Sequence, residues 1–140
     1  LKDKGSEFPA GKPHGRRQTL KRSFANAYTG MSYCVRTQRN LRIHLGIAVL
    51  VVALASALRV SLTELALLLF CITAVIVVEM INTALECIVD LVTSDYHPLA
   101  KLSKDISAGA VLVASLGTAA VGAIIFLPRL LQLLLGVASP

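Results

Sequence analysis

The chain has 140 residues, 55% of them apolar and 16% charged, with a formal net charge of +6. A soluble domain of that size cannot bury so much apolar surface, so water is not the main solvent of this chain. The composition also excludes a disordered chain, a disulfide scaffold and a collagen-like fibre.

Residues 1–15 are rich in Gly, Pro and Lys and read as a disordered lead-in. Over residues 16–40, Leu20, Phe24, Ala27, Tyr28, Met31 and Val35 recur every three or four positions. Arg17, Lys21, Arg22, Arg36 and Arg39 fall mostly around the other side. This pattern predicts an amphipathic basic helix lying in a membrane interface. A basic arm also suits nucleic acid, but the body behind it is too apolar for a soluble binding module. Lipid head groups, or nucleotide phosphates at a membrane, are the better partners, and no nucleic acid is expected.

Residues 41–135 hold three predicted spans, at 41–58, from 62 to about 93, and at 106–127, with loops at 59–61 and 94–104. The second span is long enough to cross the hydrocarbon core and project beyond it. Arg129 and an apolar stretch follow the third, and residues 136–140 form a tail. Of the 14 basic residues, Arg59 alone lies in the first loop and Arg129 alone beyond the third span. The others lie in the N-terminal arm or, as Lys101 and Lys104, in the second loop. The positive-inside rule therefore places the N-terminus and the 94–104 loop in the cytoplasm.

In the third span, Ala110, Ala114 and Thr118, with Ser115, Ala119 and Gly122 beside them, have the spacing that lets helices approach closely in lipid. Three spans make a thin bundle, so oligomerisation is expected. Cys34, Cys71 and Cys87 have no C-x-x-C spacing and read as small packing residues.

The second span carries a polar stripe, Glu79-x-x-Asn82-Thr83-x-x-Glu86-x-x-x-Asp90. At about 100° per residue, Glu79, Asn82, Glu86 and Asp90 share one helix face, with Glu79 about 10 Å deeper than Glu86. An ionisable group at such depth costs roughly 3 kcal/mol or more on insertion scales. A single protonated Glu bonded to a neighbouring helix would need no function. A graded row of three carboxylates and an amide is not required for packing, whereas binding a cation or a phosphate–metal group at the interface uses it.

The following loop supplies the opposite charge through Lys101 and Lys104, together with Asp95, Tyr96, His97 and Asp105. Pro98 is expected to fix a turn there. Oxygen ligands for Mg²⁺ beside lysines are the electrostatic kit of phosphoryl transfer. No G-x-x-x-x-G-K-[ST], G-x-G-x-x-G or kinase catalytic-loop pattern is present, so any handling of ATP lies outside the common nucleotide folds. An intramembrane Glu also suits a proton- or cation-coupled transporter or channel subunit, which leaves Lys104–Asp105 unexplained. A membrane adaptor that gathers acidic lipids is a further alternative.

The chain resembles the small integral-membrane lipid kinases of bacteria, the prokaryotic diacylglycerol kinase / undecaprenol kinase family. The resemblance covers about residues 23–130. It rests on Phe24-x-x-Ala27-x-x-Gly30, on Asn40-x-Arg42-x-His44, and on Glu79-x-x-Asn82-Thr83-Ala84-x-Glu86-x-x-x-Asp90. It rests also on Tyr96-His97-Pro98-Leu99-Ala100-Lys101 and on Lys104-Asp105-x-x-Ala108-Gly109-Ala110-Val111. The Asn-Thr-Ala variant and the Arg-x-His element look more like the undecaprenol kinase branch.

The resemblance implies an all-α protein of the bacterial inner membrane, with three spans and a surface helix per chain. It implies a homotrimer whose active sites are shared between neighbouring chains. Each site would phosphorylate a lipid alcohol with ATP and Mg²⁺. By matching position, Glu79 is the general base, and Glu86 is a metal ligand that contacts ATP. Asn82 and Asp90 support the site. Lys104 and Asp105 bind the nucleotide, with Asp95, Tyr96 and His97 nearby. Where the family usually has a metal-binding Glu before the first span, this chain has Gln38, whose amide oxygen can still meet Mg²⁺ but with one negative charge fewer.

Overall fold

A computed structural model describes residues 19–93 and 95–136 as four helices and, among those residues, no strand. They are α1 (Leu20–Thr37), α2 (Arg39–Ala57), α3 (Leu62–Val92) and α4 (Pro98–Leu135). The last three are long and apolar enough to cross a membrane, so the fold is the expected all-α, three-span architecture with a preceding amphipathic helix. The lead-in 1–15, residues 16–18 of the expected surface helix, loop position 94 and tail positions 137–140 lie outside the described residues.

Along α1, Leu20, Phe24 and Tyr28 are 79%, 75% and 70% exposed, so its apolar face does not pack on the rest of the chain. Only Cys34 of α1 is buried. A single extended residue, Gln38, ends α1 and begins α2. Arg42 holds this break by donating from Nη1 to the carbonyls of Val35 and Arg36, at 3.3 and 3.0 Å. These are carbonyls that the end of α1 leaves without intrahelical partners. The first membrane helix thus begins at Arg39, two residues before the predicted span.

The α2–α3 turn is tight. Arg59 takes the left-handed conformation at φ 48°, and the Val60 N–H bonds the Ala55 carbonyl at 3.1 Å. Ser61 then opens α3 with a capping box: its Oγ accepts from the Glu64 N–H, and Glu64 Oε2 accepts from the Ser61 N–H at 2.8 Å.

The larger departure is at α4. The sequence reading puts a loop at 94–104 and a span at 106–127, but the helix runs unbroken from Pro98 to Leu135. Pro98 does not make a loop turn. It occupies the first helical turn, where its missing N–H costs no hydrogen bond, and His97 caps the end by accepting from the Leu99 N–H at 3.2 Å. Lys101, Lys104 and Asp105 therefore sit on a helix. At the other end α4 continues through Pro128 and stops at Gly136, whose φ of +64° suits the left-handed cap.

The α3 helix packs mainly on α4 and secondarily on α2. Near the α2–α3 turn, Ala55, Leu68, Ile125 and Phe126 form a buried apolar cluster. Arg129 joins α4 to the start of α3 through Glu64 Oε2 at 2.8 Å. Among the small residues of α4, Thr118 meets α3 by donating to the Cys71 carbonyl at 3.4 Å. An added Cβ at Gly117 or Gly122 would meet nothing within 4 Å, and Ser115, Thr118, Ala119 and Gly122 line an apolar cavity of about 500 Å³ bounded by α2, α3 and α4. Of the cysteines, Cys34 is buried but Cys87 is exposed and Cys71 half-buried, so only the first fits the packing role expected of all three.

Candidate active site

The polar stripe of α3 falls on the face turned toward α4 and α2. Glu79, Asn82 and Thr83 are buried, Glu86 is half-buried and Asp90 is exposed, which reproduces the expected gradient along one helix face. Glu79 is 2% exposed, and its Oε2 has no hydrogen-bond partner. Thr83 turns its hydroxyl back to the Glu79 carbonyl at 3.0 Å and so satisfies itself within the helix.

Around Glu86 the chain gathers amides. Asn82 Nδ2 donates to Glu86 Oε1 at 3.0 Å, and Gln38 Nε2 stands 3.5 Å from Glu86 Oε2. The break between α1 and α2 is thus what carries Gln38, 48 residues away in sequence, to the carboxylate. Further along, Asp90 pairs with Lys104 at 2.5 Å, which ties α3 to α4. One turn before it on α4, Lys101 pairs with Asp105 at 2.5 Å.

Asp90, Asp95, Tyr96, His97, Lys101, Lys104 and Asp105 all line one open cavity of about 420 Å³ beyond the end of α3. The residues read as nucleotide-binding are therefore brought together, Glu86 excepted. Glu86 sits about one turn further in, and Glu79 about three turns in from Asp90. One contributor was missed in the sequence. Ser107 of α4 is buried and donates to Asn82 Oδ1 at 2.6 Å. Its only sequence signal is its place three residues after Lys104. That spacing does not separate a bond to another helix from a bond to its own backbone.

Among the described residues no three His, Cys, Asp or Glu side chains converge as a preformed metal site. The ligating atoms here are the Glu86 carboxylate oxygens, to which Asn82 and Gln38 turn their NH₂ groups, and a carboxylate site of this kind suits a hard cation completed by substrate phosphates and water. Mg²⁺ fits that donor set better than zinc or another soft metal.

The family description "Prokaryotic diacylglycerol kinase" matches residues 25–126. The chain belongs to the prokaryotic diacylglycerol kinase family. The match spans every side chain of the site, from Gln38 to Ser107. A family relative named diacylglycerol kinase, from Synechocystis sp., is 40% identical over 141 residues, covering 93% of this chain and 81% of the relative. The undecaprenol kinase of Bacillus subtilis is 38% identical over 109 residues, covering 78% of this chain and 89% of the relative. The diacylglycerol kinase of Escherichia coli is 40% identical over a shorter stretch of 70 residues, 49% of this chain and 57% of the relative. Similarity thus extends to both named branches of the diacylglycerol kinase family.

Proposed function

We propose that the chain is a lipid kinase that phosphorylates a membrane lipid alcohol, undecaprenol or diacylglycerol, with ATP. Family membership supports the activity class. The observation that carries the site is Glu79, a carboxylate buried in the bundle with one oxygen unbonded, on the same helix face as Glu86 and Asp90.

Glu79 accepts the proton of the lipid hydroxyl as the new oxygen–phosphorus bond forms and the bond to the ADP oxygen breaks. Lys104 leaves Asp90 and takes up phosphate charge, and Asp105, Asp95, Tyr96 and His97 hold the rest of the nucleotide in the open cavity. Glu86, with Gln38 as the weaker partner, would hold Mg²⁺. Bound there, Mg²⁺ supplies neutralisation of the phosphate charge that grows during transfer. Asn82 and Asp90 orient Glu86 and Lys104. Confinement of the lipid to the bilayer contributes positioning, because the hydroxyl can approach only at interface depth.

This reading places the site at the cytoplasmic face of the bacterial inner membrane, where ATP is present, with the N-terminus on the same side. The basic residues of α1 and of the start of α4 support that orientation. The open groove along α4, edged by the small residues Ser115, Thr118, Ala119 and Gly122, has room for a helix of a neighbouring copy and supports a homotrimer with shared sites. No observation favours the transporter or the adaptor.

The test is purified protein in mixed micelles with labelled Mg-ATP, offered undecaprenol and diacylglycerol separately, with the products resolved by thin-layer chromatography. A phosphorylated lipid that disappears when EDTA is added supports the reading. Absence of product from both lipids, or transfer indifferent to EDTA, refutes it.

A further inference from the structure

Glu86 lies in the middle of a line of hydrogen bonds that crosses the bundle. At one end the hydroxyl of Ser107, a residue 6% exposed on α4, donates to Asn82 Oδ1 at 2.6 Å. Asn82 passes the line on by donating from Nδ2 to Glu86 Oε1 at 3.0 Å, and Gln38 Nε2 stands 3.5 Å from the other carboxylate oxygen. Ser107 Oγ also lies 2.9 Å from the Lys104 carbonyl. A hydroxyl has one proton to give, and the shorter contact, to Asn82, takes it.

The Ser107 proton at one end and the Glu86 carboxylate, which can only accept, at the other together settle which way the Asn82 amide faces. An Asn side chain presents an acceptor at one end and a donor at the other. With the oxygen held on the α4 side by Ser107, the NH₂ faces Glu86. In the reversed orientation the amide oxygen would face the carboxylate oxygen, and lone pairs would oppose each other in a region poor in water. Ser107 also meets its own helix at the Lys104 carbonyl, but its shorter bond reaches a residue 25 positions away on α3.

We infer that Ser107 is a positioning residue for phosphoryl transfer: its hydroxyl fixes the Asn82 amide, and the amide fixes the Glu86 carboxylate. The kinetic consequence rests on the lipid kinase reading, whereas the orientation of the amide does not. Replacing Ser107 by Ala leaves Asn82 Oδ1 buried without its donor, so the amide is held only at its Glu86 end and both it and the Glu86 carboxylate lose their anchor on α4.

The experiment compares wild type, Ser107→Ala and Ser107→Thr as full chains in micelles. Two readouts are taken: steady-state kinetics against Mg-ATP, and the side-chain ¹⁵N–¹H₂ signal of Asn82, identified by its loss in Asn82→Ala. Ser107→Ala is expected to raise the apparent KM for Mg-ATP about tenfold, in the range for residues that orient a metal ligand, with kcat within about twofold. It should also displace the Asn82 signal. Ser107→Thr, which keeps the hydroxyl, should restore both. Partial unfolding would lower kcat at unchanged KM, and that result overturns the inference. An Asn82 signal that does not move in Ser107→Ala overturns it whatever the kinetics. A wild type with no lipid-dependent turnover would sink the kinase reading, and the inferred amide orientation would then stand or fall on the Asn82 signal alone.

Discussion

Toward the α2–α3 turn, the α3–α4 pair is held by Leu68, Ile125 and Phe126 packed with Ala55. Toward the α3–α4 loop, the buried polar residues of the same pair are Glu79, Asn82, Thr83 and Ser107, with Val111 beside them. Apolar contact is non-directional, and in a bilayer it gains only what packing adds, because lipid tails are as apolar as leucine. Hydrogen bonds cost more to bury but impose orientation. One end of the pair therefore holds, and the other aims. The polar end is tolerable because its groups satisfy one another, Ser107 to Asn82 to Glu86. Glu79 Oε2 is the exception, an orphan there, which suits the general-base role proposed for it.

The strongest way to break this contrast is at Glu79. Glu79→Gln keeps size and polarity but removes the proton acceptor, and we expect lipid phosphorylation to fall about a thousandfold, within the usual range for a lost general base. ATP binding, followed with a fluorescent analogue, should persist. Near-normal turnover would remove Glu79 from the role.

Lys104→Gln is expected to cost less, about a hundredfold in kcat, as for other charge-stabilising donors. It also frees Asp90 from its ion pair, so a second variant, Asp90→Asn with Lys104 intact, separates the two effects. If phosphate contact is the main duty of Lys104, Asp90→Asn should lose much less activity than Lys104→Gln. Equal losses would mean that the pair matters only as a tether between α3 and α4.

At the apolar end the expectation reverses. Leu68→Ala opens a cavity in the cluster and should lower stability by about 2 kcal/mol, the low end for such truncations because lipid replaces water as the reference. Specific activity per folded molecule should stay within about twofold of wild type. Unfolding in graded detergent mixtures reads the first quantity, and lipid turnover on the folded fraction reads the second. A large loss of activity in the folded fraction would show that the two ends are not separable.

Much of this protein is legible without coordinates. The three spans follow from runs of apolar residues longer than any soluble helix of this chain could bury, and the α1 pattern follows from its period. The shared face of Glu79, Asn82, Glu86 and Asp90 follows from helical spacing alone. The start of α4 was misplaced because charge and Pro98 read as loop. The same proline is at home in a first helical turn, and Lys101, Lys104 and Asp105 are tolerated on a helix that projects beyond the apolar span.

Local periodicity decides which residues share a helix face, so the sequence by itself determined the spans and the carboxylate row. Which residue of another helix meets that row depends on how the helices cross and rotate. Only the tertiary structure brought Gln38 to Glu86, Ser107 to Asn82 and Lys104 to Asp90. Contacts between residues distant in the chain are fixed by packing geometry, and helical period carries no record of it.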